Sequence, residues 1–211
     1  MLSKKTKIIA IAGASASGKS LFAQTICEEI QQEFGEECIS ILKEDSYYRS
    51  QDKVSLSNRE KINYDHPDAI EYSLFEAHLQ ELIAGRNINA PVYSFKTHTR
   101  TKHTAVVRHS KVIIVEGILL LSNKRLNELF DIKIFMDTPL DVCLLRRIRR
   151  DTLERGRDVG SILQQYLETV RPMYYEFIDP SKMHADIMVN HGGKNRNAVD
   201  IIKAKIGQII S

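Results

Sequence analysis

The hydrophobic positions of this chain fall into short apolar runs separated by longer amphipathic stretches. The runs have the length and the β-branched content of buried strands, and they read KIIAIA, CISILK, KVIIVEGILLL, DIKIFMD and ADIMVN. Between them, apolar side chains recur every three to four residues, which predicts helices over 20–33, 69–85, 139–179 and 197–210. Gly85 is expected to end the second of these helices, and Pro172 to break or kink the third.

The alternation of strands with helices predicts an α/β fold in which helices cover both faces of a parallel sheet. One segment interrupts this order. The runs INAPVYSF and HTAVVRH are short, rich in β-forming residues and separated by the polar KTHTRTK. We therefore expect an inserted β-hairpin at about residues 87–110, which projects from the core of a single domain spanning residues 1–211.

The composition predicts a cellular compartment but does not identify a binding partner. The formal net charge is only +3, and the three cysteines cannot all pair, which favours free thiols and a cytoplasmic protein. The N-terminal MLSKKTKIIAIAG has only a short apolar run, so it predicts a first strand rather than a signal peptide. No stretch approaches the roughly 20 apolar residues of a membrane span, and we expect no membrane partner.

The first apolar run leads directly into GASASGKS, and a helix is expected to follow. Gly13, Gly18, Lys19 and Ser20 have the spacing of a P-loop in the strand-to-helix context that this motif requires. The glycines let backbone N–H groups face phosphate oxygens, while the lysine reaches the β- and γ-phosphates and the serine binds Mg²⁺. The predicted nucleotide-binding residues are Gly13, Ala14, Ser15, Ala16, Ser17, Gly18, Lys19 and Ser20.

A carboxylate is expected at the end of a neighbouring strand, where it can hold Mg²⁺ beside Ser20. Glu116 ends the apolar run VIIVE and is the preferred candidate. Asp137 ends DIKIFMD and is the alternative, but the TPLD that follows it is typical of a helix start with Pro139 in the first turn.

The phosphoryl acceptor is a separate question. A switch GTPase needs an NKxD segment, and SNKRLNE has Leu126 where the aspartate should stand. A kinase needs a carboxylate near the γ-phosphate, and Asp45 follows the second strand at the sheet edge where the P-loop also emerges. The segments NYDHPD and PVYSFKTHTR add a carboxylate, imidazoles and aromatic rings suited to a sugar and a flat base.

Eight segments together resemble the bacterial uridine kinase (uridine–cytidine kinase) family. They are GASASGKS, EDSYYR, NYDHPDA, PVYSFKTHTR, VEGILLL, RRIRRDTLERGRD, QYLETVRPMYYEFIDPSK and ADIMV. The resemblance implies a P-loop NTPase fold with an arginine-rich helical lid at about residues 146–160. It implies transfer of a phosphoryl group from ATP or GTP, with Mg²⁺, to the 5′-hydroxyl of uridine or cytidine, and a homotetrameric assembly.

The same resemblance implies roles for individual residues. Asp45 matches the catalytic base and lies near the metal, together with Ser20 and Glu116. Arg147 matches a nucleotide-binding residue of the lid. The implied catalytic residues besides Asp45 are Lys19, Arg150 and Arg155. The implied nucleoside pocket contains Tyr48, Tyr64, Asp65, Tyr93, Phe95, His98, Arg157 and Gln165, with Asp65 on the ribose hydroxyls.

Two positions depart from the family pattern. Ala14 stands where many members have a glycine, and Ser94 stands where many have an aspartate. An alanine still permits a tight loop if its φ stays negative, whereas the serine is expected to weaken a hydrogen bond in the pocket.

Two alternatives stay open. Phosphoribulokinase and pantothenate kinase share the P-loop scaffold, but a phosphorylated acceptor needs basic groups near Asp45, where the local sequence offers aromatic and acidic residues. The basic run over 146–157 could belong to a regulatory module that binds nucleic acid. Because a nucleic-acid reader needs a broader basic surface, we expect no nucleic-acid partner.

Overall fold

The computed structural model describes residues 6–211, and a five-stranded parallel sheet lies at its centre. The strands in chain order are β1 (Lys7–Gly13), β2 (Ile39–Lys43), β3 (Ile88–Ser94), β4 (Thr99–Val107), β5 (Val112–Glu116), β6 (Ile132–Asp137) and β7 (Ile187–Asn190). The central sheet has the order β2-β5-β1-β6-β7, so β1 lies in the middle and its carboxyl end is flanked by those of β5 and β6. The basic residues within 1–5 lie outside the described residues.

Helices cover both faces of this sheet. They are α1 (Lys19–Phe34), α2 (Leu56–Arg59), α3 (Tyr72–Ile83), α4 (Lys124–Asn127), α5 (Leu140–Arg155), α6 (Val159–Gln165), α7 (Arg171–Met173) and α8 (Arg196–Ile210). Successive β1 side chains point to opposite faces: Ile9 and Ile11 pack against α1 and α8, while Ile8 and Ala10 belong to the core that contains α3. The predicted α/β fold is confirmed. No helix described between residues 6 and 211 combines the length and the apolar character needed to cross a membrane.

The expected hairpin is present as a separate two-stranded antiparallel sheet of β3 and β4. Its connection is shorter than the sequence predicts: Ser94 pairs with Thr99, so only residues 95–98 form the turn and residues 99–102 belong to β4. Residues 99–102 are polar and so suggested a loop, but they form an outer strand in which Thr101 and Lys102 are exposed. Thr99 is the buried exception, and its Oγ1 accepts a hydrogen bond from the Gln51 backbone N–H at 2.8 Å.

The long helical segment changes direction at a glycine rather than at its proline. Helix α5 ends at Gly156, whose φ of 65° is left-handed and therefore favours glycine. The chain remains helical through Pro172, with π-helical turns at Tyr166–Val170 and Tyr174–Ile178. The predicted break at Pro172 is therefore wrong, because the wider π turns accommodate a residue that lacks a backbone N–H.

An ion-pair cluster joins α1, the helix that follows the P-loop, to α8. Glu29 lies 2.8 Å from the Arg196 Nη2 and 2.7 Å from the Lys203 Nζ, and the hydrogen bonds from these two groups lower its pKa to about 2. Because the folded pKa is depressed, the carboxylate stabilises the fold above its unfolded pKa, and this contribution disappears as the pH falls towards 2.

We expect Glu29→Gln to lower the free energy of unfolding by about 1 kcal/mol at pH 7, a modest value because the cluster is partly exposed. The difference from the wild type should shrink as the pH approaches 2. Denaturant unfolding at several pH values measures this difference in the free energy of unfolding. Glu33→Gln, on the same helix, serves as an exposed control. A loss that is the same at pH 3 and pH 7 would assign the effect to packing instead of charge.

Candidate active site

The P-loop runs from the end of β1 to the start of α1. Gly13 and Gly18 have φ values of 143° and 102°, and a Cβ atom on Gly18 would lie 2.4 Å from the Gly193 backbone nitrogen. Glycine is therefore required at both places. Ala14 is outside the left-handed region, as a tight loop with alanine there requires, whereas Ala16 adopts a φ of 63°. A non-glycine residue in this region stores strain, which is typical of functional loops.

Lys19 and Ser20 start α1 and have partners on two different elements. The Lys19 Nζ donates to the Ala14 carbonyl at 2.9 Å, and the Ser20 Oγ donates to the Glu116 Oε1 at 2.9 Å. Burial lowers the pKa of Lys19, and the carboxylates of Glu116 and Asp45 oppose this shift. Burial likewise raises the pKa of Glu116, with Lys19 as the main opposing charge.

The structure places Glu116, and not Asp137, beside Ser20. Asp137 instead forms an ion pair with Lys182 at 3.0 Å. Within residues 6–211, no group of three His, Cys, Asp or Glu side chains could hold a metal ion by itself. The oxygens of Ser20 and Glu116 nevertheless fit Mg²⁺, because this ion binds proteins through one or two oxygen ligands while phosphates and water complete its shell.

Two cavities open next to the P-loop. We call the first the P-loop cavity. Its lining residues are Ser15, Ala16, Gly18, Lys19, Ser20, Leu21, Asp45, Glu116, Gly117, Ile118, Arg146, Arg150 and Glu154. Gly13, Ala14 and Ser17 are absent from this lining: Gly13 packs against β6, and Ser17 is fully buried under Thr138. These three residues shape the loop from behind.

The second cavity, which we call the aromatic cavity, brings together residues from six separate parts of the chain. Its lining residues are Ser15, Asp45, Tyr48, Tyr64, Asp65, Tyr93, Phe95, His98, Ile118, Arg147, Arg150, Arg155, Arg157 and Gln165. Every residue that the family resemblance assigns to a nucleoside pocket is among them. The P-loop cavity and the aromatic cavity share Ser15, Asp45, Ile118 and Arg150.

Asp45 is the carboxylate on the shared wall. It lies in the 3-10 turn Glu44–Tyr47, directly after β2, and is half-buried. Within residues 6–211, its carboxylate makes no hydrogen bond to the protein. An unengaged carboxylate between the two cavities can accept a proton from a group that is bound in either of them.

Tyrosine rings from three segments form one wall of the aromatic cavity. The Tyr48 ring lies 5.2 Å from that of Tyr64 and 5.0 Å from that of Tyr93, and Phe95 continues the series 5.2 Å beyond Tyr93. The Tyr64 hydroxyl donates to the His98 carbonyl at 3.1 Å, which ties this wall to the hairpin turn. At these separations and tilts the rings pack against one another, and their common surface forms one side of a slot against which a planar ligand could lie.

Asp65 lies on the same cavity and is only 5% exposed. Burial raises its pKa, and the nearby Arg147 is the main group that lowers it. Among the residues that the structure describes, none donates a hydrogen bond to this carboxylate. A buried acceptor without a donor is costly, so a ligand hydroxyl that filled this position would be bound with high selectivity.

The lid arginines reach both cavities from α5 and the turn after it. Arg147 donates to the Ser15 Oγ at 3.0 Å and to the Gln165 Oε1 at 2.9 Å, and Arg157 donates to the same oxygen at 2.7 Å. The Arg155 guanidinium lies 4.1 Å from the centre of the Phe95 ring on the hairpin. The lid therefore contacts the P-loop and the hairpin at once.

Sequence reasoning missed several residues of this region. Ile118 separates the two cavities, and the Arg146 Nη1 donates to the Ser17 carbonyl at 3.3 Å. Glu44 is fully buried, which raises its pKa to about 8, and its Oε2 accepts a hydrogen bond from the Leu119 backbone N–H at 2.9 Å. Arg146 begins the basic run and could have been selected from the sequence, whereas the burial of Glu44 has no sequence signal.

Ser94 has a partner within the hairpin, and its predicted effect on a hydrogen bond in the pocket stays a prediction. Its Oγ accepts a hydrogen bond from the Thr97 backbone N–H at 3.2 Å, so the side chain stabilises the hairpin turn. Asn123, in the segment that lacks a guanine-reading aspartate, accepts from the Leu126 backbone N–H at 3.1 Å and caps α4. Both side chains have structural partners.

Comparison with known proteins agrees with this geometry. The sequence model of the Phosphoribulokinase / Uridine kinase family matches residues 8–198. The chain belongs to this family. It is 56% identical over 201 residues to a protein named Uridine kinase from Cronobacter sakazakii, which covers 95% of this chain and 94% of the relative. A protein of the same name from Proteus mirabilis is 54% identical over the same shares of the two chains.

Solved structures of other kinases are similar to this chain in fold at low sequence identity. Phosphoribulokinase from Rhodobacter spheroides aligns with a TM-score of 0.66 at 18% identity and covers 89% of this chain and 71% of its own. D-glycerate 3-kinase from Cryptococcus neoformans aligns with a TM-score of 0.63 at 15% identity and covers 84% and 80%. The P-loop kinase fold expected from the sequence is therefore confirmed.

Proposed function

We propose that this protein is a uridine kinase, which transfers the γ-phosphoryl group of ATP or GTP to the 5′-hydroxyl of uridine and cytidine. One observation carries the proposal: Asp45 lies on the wall between a P-loop cavity and a cavity built of aromatic rings and Asp65. A donor phosphate in the first and a nucleoside in the second would meet at this carboxylate. The name shared by relatives at 54–56% identity supports the same activity.

The proposed mechanism assigns one task to each group. Asp45 accepts the proton of the 5′-hydroxyl as that oxygen attacks phosphorus, and the bond to the leaving nucleoside diphosphate breaks. Lys19, Arg150 and Arg155 balance the charge that develops on the transferred phosphoryl group. The aromatic wall and Asp65 orient the nucleoside. When bound, Mg²⁺ neutralises the phosphates, and Ser20 and Glu116 would hold it, with Asp45 near.

A kinase of a phosphorylated acceptor remains the second candidate. The expectation that basic groups are scarce near Asp45 is wrong for the folded chain, since lid arginines line the aromatic cavity. The buried Asp151 offsets part of their positive charge, however. An acceptor phosphate in this cavity would also face the carboxylate of Asp65, which favours an uncharged acceptor.

A panel of acceptors tests the proposal. With ATP or GTP as donor, we expect rapid phosphorylation of uridine and cytidine and none of ribulose 5-phosphate or pantothenate. A coupled assay measures nucleoside diphosphate release, and mass spectrometry of the product identifies the 5′-monophosphate. Turnover of ribulose 5-phosphate or pantothenate above that of uridine would replace the proposed function.

Two controls belong to this panel. Activity should be lost with excess EDTA and return with added Mg²⁺, because the charge on the triphosphate must be balanced before transfer. Salt-dependent RNA binding is measured on the same protein. Tight RNA binding without nucleoside turnover would favour a nucleic-acid module over a kinase.

Three finer features belong to the proposal. They are the use of both ATP and GTP, a homotetrameric assembly, and a cytoplasmic location. The free thiols of Cys27, Cys38 and Cys143 support the last of these, since reduced cysteines are typical of that compartment.

A further inference from the structure

Asp151 lies inside the lid, one helical turn before the end of α5, and its side chain is fully buried. Its Oδ1 is 2.8 Å from the Arg150 Nε and 3.4 Å from an Arg155 nitrogen. Its Oδ2 is 3.7 Å from the Arg147 Nε and 3.6 Å from an Arg157 nitrogen. Within residues 6–211, one carboxylate thus faces four guanidinium groups, and these four line the aromatic cavity.

The backbone of Asp151 stabilises the turn at the end of α5. Its carbonyl accepts hydrogen bonds from the N–H groups of Gly156 and Arg157, the latter at 3.0 Å. These bonds close the end of the helix, so that Arg157, which follows it, returns to the side of Arg147, Arg150 and Arg155. The side chain and the backbone of one residue therefore gather arginines from both sides of the lid turn.

The charges of this cluster do not balance. One negative charge meets four positive ones, and the pKa of Arg155 is lowered by burial and by the nearby Arg150. The Asp151 Oδ2 and the Arg147 Nε are both buried without a hydrogen bond. The cluster is therefore held together by Asp151, but it retains a net positive charge, and Arg150 carries part of this charge onto the wall that the aromatic cavity shares with the P-loop cavity.

We propose that Asp151 is the positioning residue of the lid, which holds the four arginines in place against their mutual repulsion until a triphosphate supplies the missing negative charge. Asp151 lines neither the P-loop cavity nor the aromatic cavity, so it acts through the arginines and not on a reacting atom. Its kinetic role rests on the proposed function, whereas its effect on polyphosphate binding does not.

The test compares Asp151→Asn with Asp158→Asn. Asparagine keeps the shape of Asp151 and removes its charge. We expect kcat for uridine to fall by about 10- to 100-fold, because misplaced arginines no longer meet the transferred phosphoryl group. The KM for uridine should rise by a smaller factor than kcat falls, since Asp65 and the three tyrosines of the aromatic wall stay in place while Arg157 of the same cavity is released.

Thermal unfolding with inorganic tripolyphosphate gives a readout that a purely structural role would not move. Without the anion, Asp151→Asn should unfold at a lower temperature than the wild type. Tripolyphosphate should then raise the Tm of this variant more than that of the wild type, because the anion meets a cluster with one more uncompensated positive charge. A lower Tm with an unchanged kcat and an unchanged response to tripolyphosphate would overturn the proposal.

Asp158→Asn is the matched control. Asp158 lies in the same lid and accepts a hydrogen bond from the Ser161 N–H at 2.8 Å as the N-cap of α6. Asparagine caps a helix as well as aspartate does, so this variant loses the same charge and should keep the wild-type kcat and tripolyphosphate response.

A second variant tests the proposal even if Asp151→Asn does not fold. Asp151→Glu keeps the charge but displaces the carboxylate by one methylene group, and its kcat should lie between those of the wild type and Asp151→Asn. If Asp151→Asn does not fold, a wild-type kcat in Asp151→Glu contradicts the proposal. If the wild type itself does not phosphorylate uridine, the proposed function fails, while the tripolyphosphate comparison still decides the role of Asp151.

Discussion

Replacing Asp45 with asparagine is expected to lower kcat for uridine by about 10²- to 10⁴-fold while nucleotide binding stays close to that of the wild type. Asparagine fills the same volume at the wall between the two cavities but cannot accept the proton of a hydroxyl. The P-loop contacts, in which Lys19 meets the Ala14 carbonyl and Ser20 meets Glu116, do not involve Asp45 and should persist.

Two measurements separate these effects. Steady-state kinetics at saturating uridine gives kcat, and the nucleotide-induced rise in Tm reports binding. Asp68→Asn serves as the control because Asp68 is an exposed carboxylate that lines neither the P-loop cavity nor the aromatic cavity. If Asp45→Asn keeps more than about a tenth of the wild-type kcat, Asp45 is not the base.

Wild-type enzyme is expected to prefer uridine over deoxyuridine by up to about 10⁴-fold in kcat/KM and to leave adenosine unphosphorylated. The carboxylate of Asp65 is buried and has no donor among the described residues, so a nucleoside that lacks a ribose hydroxyl leaves it unpaired. The slot formed by Tyr48, Tyr64 and Tyr93 should admit a single ring and exclude a purine by overlap.

Asp65→Ala is expected to weaken uridine binding and to narrow the gap between uridine and deoxyuridine. The measurement is kcat/KM for uridine, deoxyuridine and adenosine on both proteins. Adenosine tests the aromatic wall and serves as an internal control, since the loss of Asp65 should not make adenosine a substrate. Similar wild-type values for uridine and adenosine would contradict the pyrimidine slot, and an unchanged gap in the variant would remove the ribose role from Asp65.

The P-loop could be predicted from the sequence because its geometry is decided within a short contiguous segment. Gly13 and Gly18 have the positive φ values that the spacing implied, and Lys19 and Ser20 follow at the start of α1. The alternation of apolar runs and amphipathic stretches likewise determined the parallel sheet, since each run must be buried on both faces. With β5 next to β1 in a parallel sheet, Glu116 had to end near Ser20.

The aromatic cavity could not be predicted from spacing. Tyr48, Tyr64 and Tyr93 belong to three separate segments, and family resemblance, not periodicity, suggested that they meet. The same limit applies to the long helical segment, where the sequence pointed to Pro172 and the chain turned at Gly156. Long-range packing determines which of several local conformations of similar energy the chain adopts.

Asp151 shows most clearly what only the tertiary structure decided. In the sequence it is one of several acidic residues within RRIRRDTLERGRD, and the pattern does not distinguish it from Glu154 or Asp158. The lid turn removes its carboxylate from water and surrounds it with arginines from both sides of that turn. Residue type and spacing determine which charges a chain carries, but burial determines how strongly they interact, because water no longer screens them.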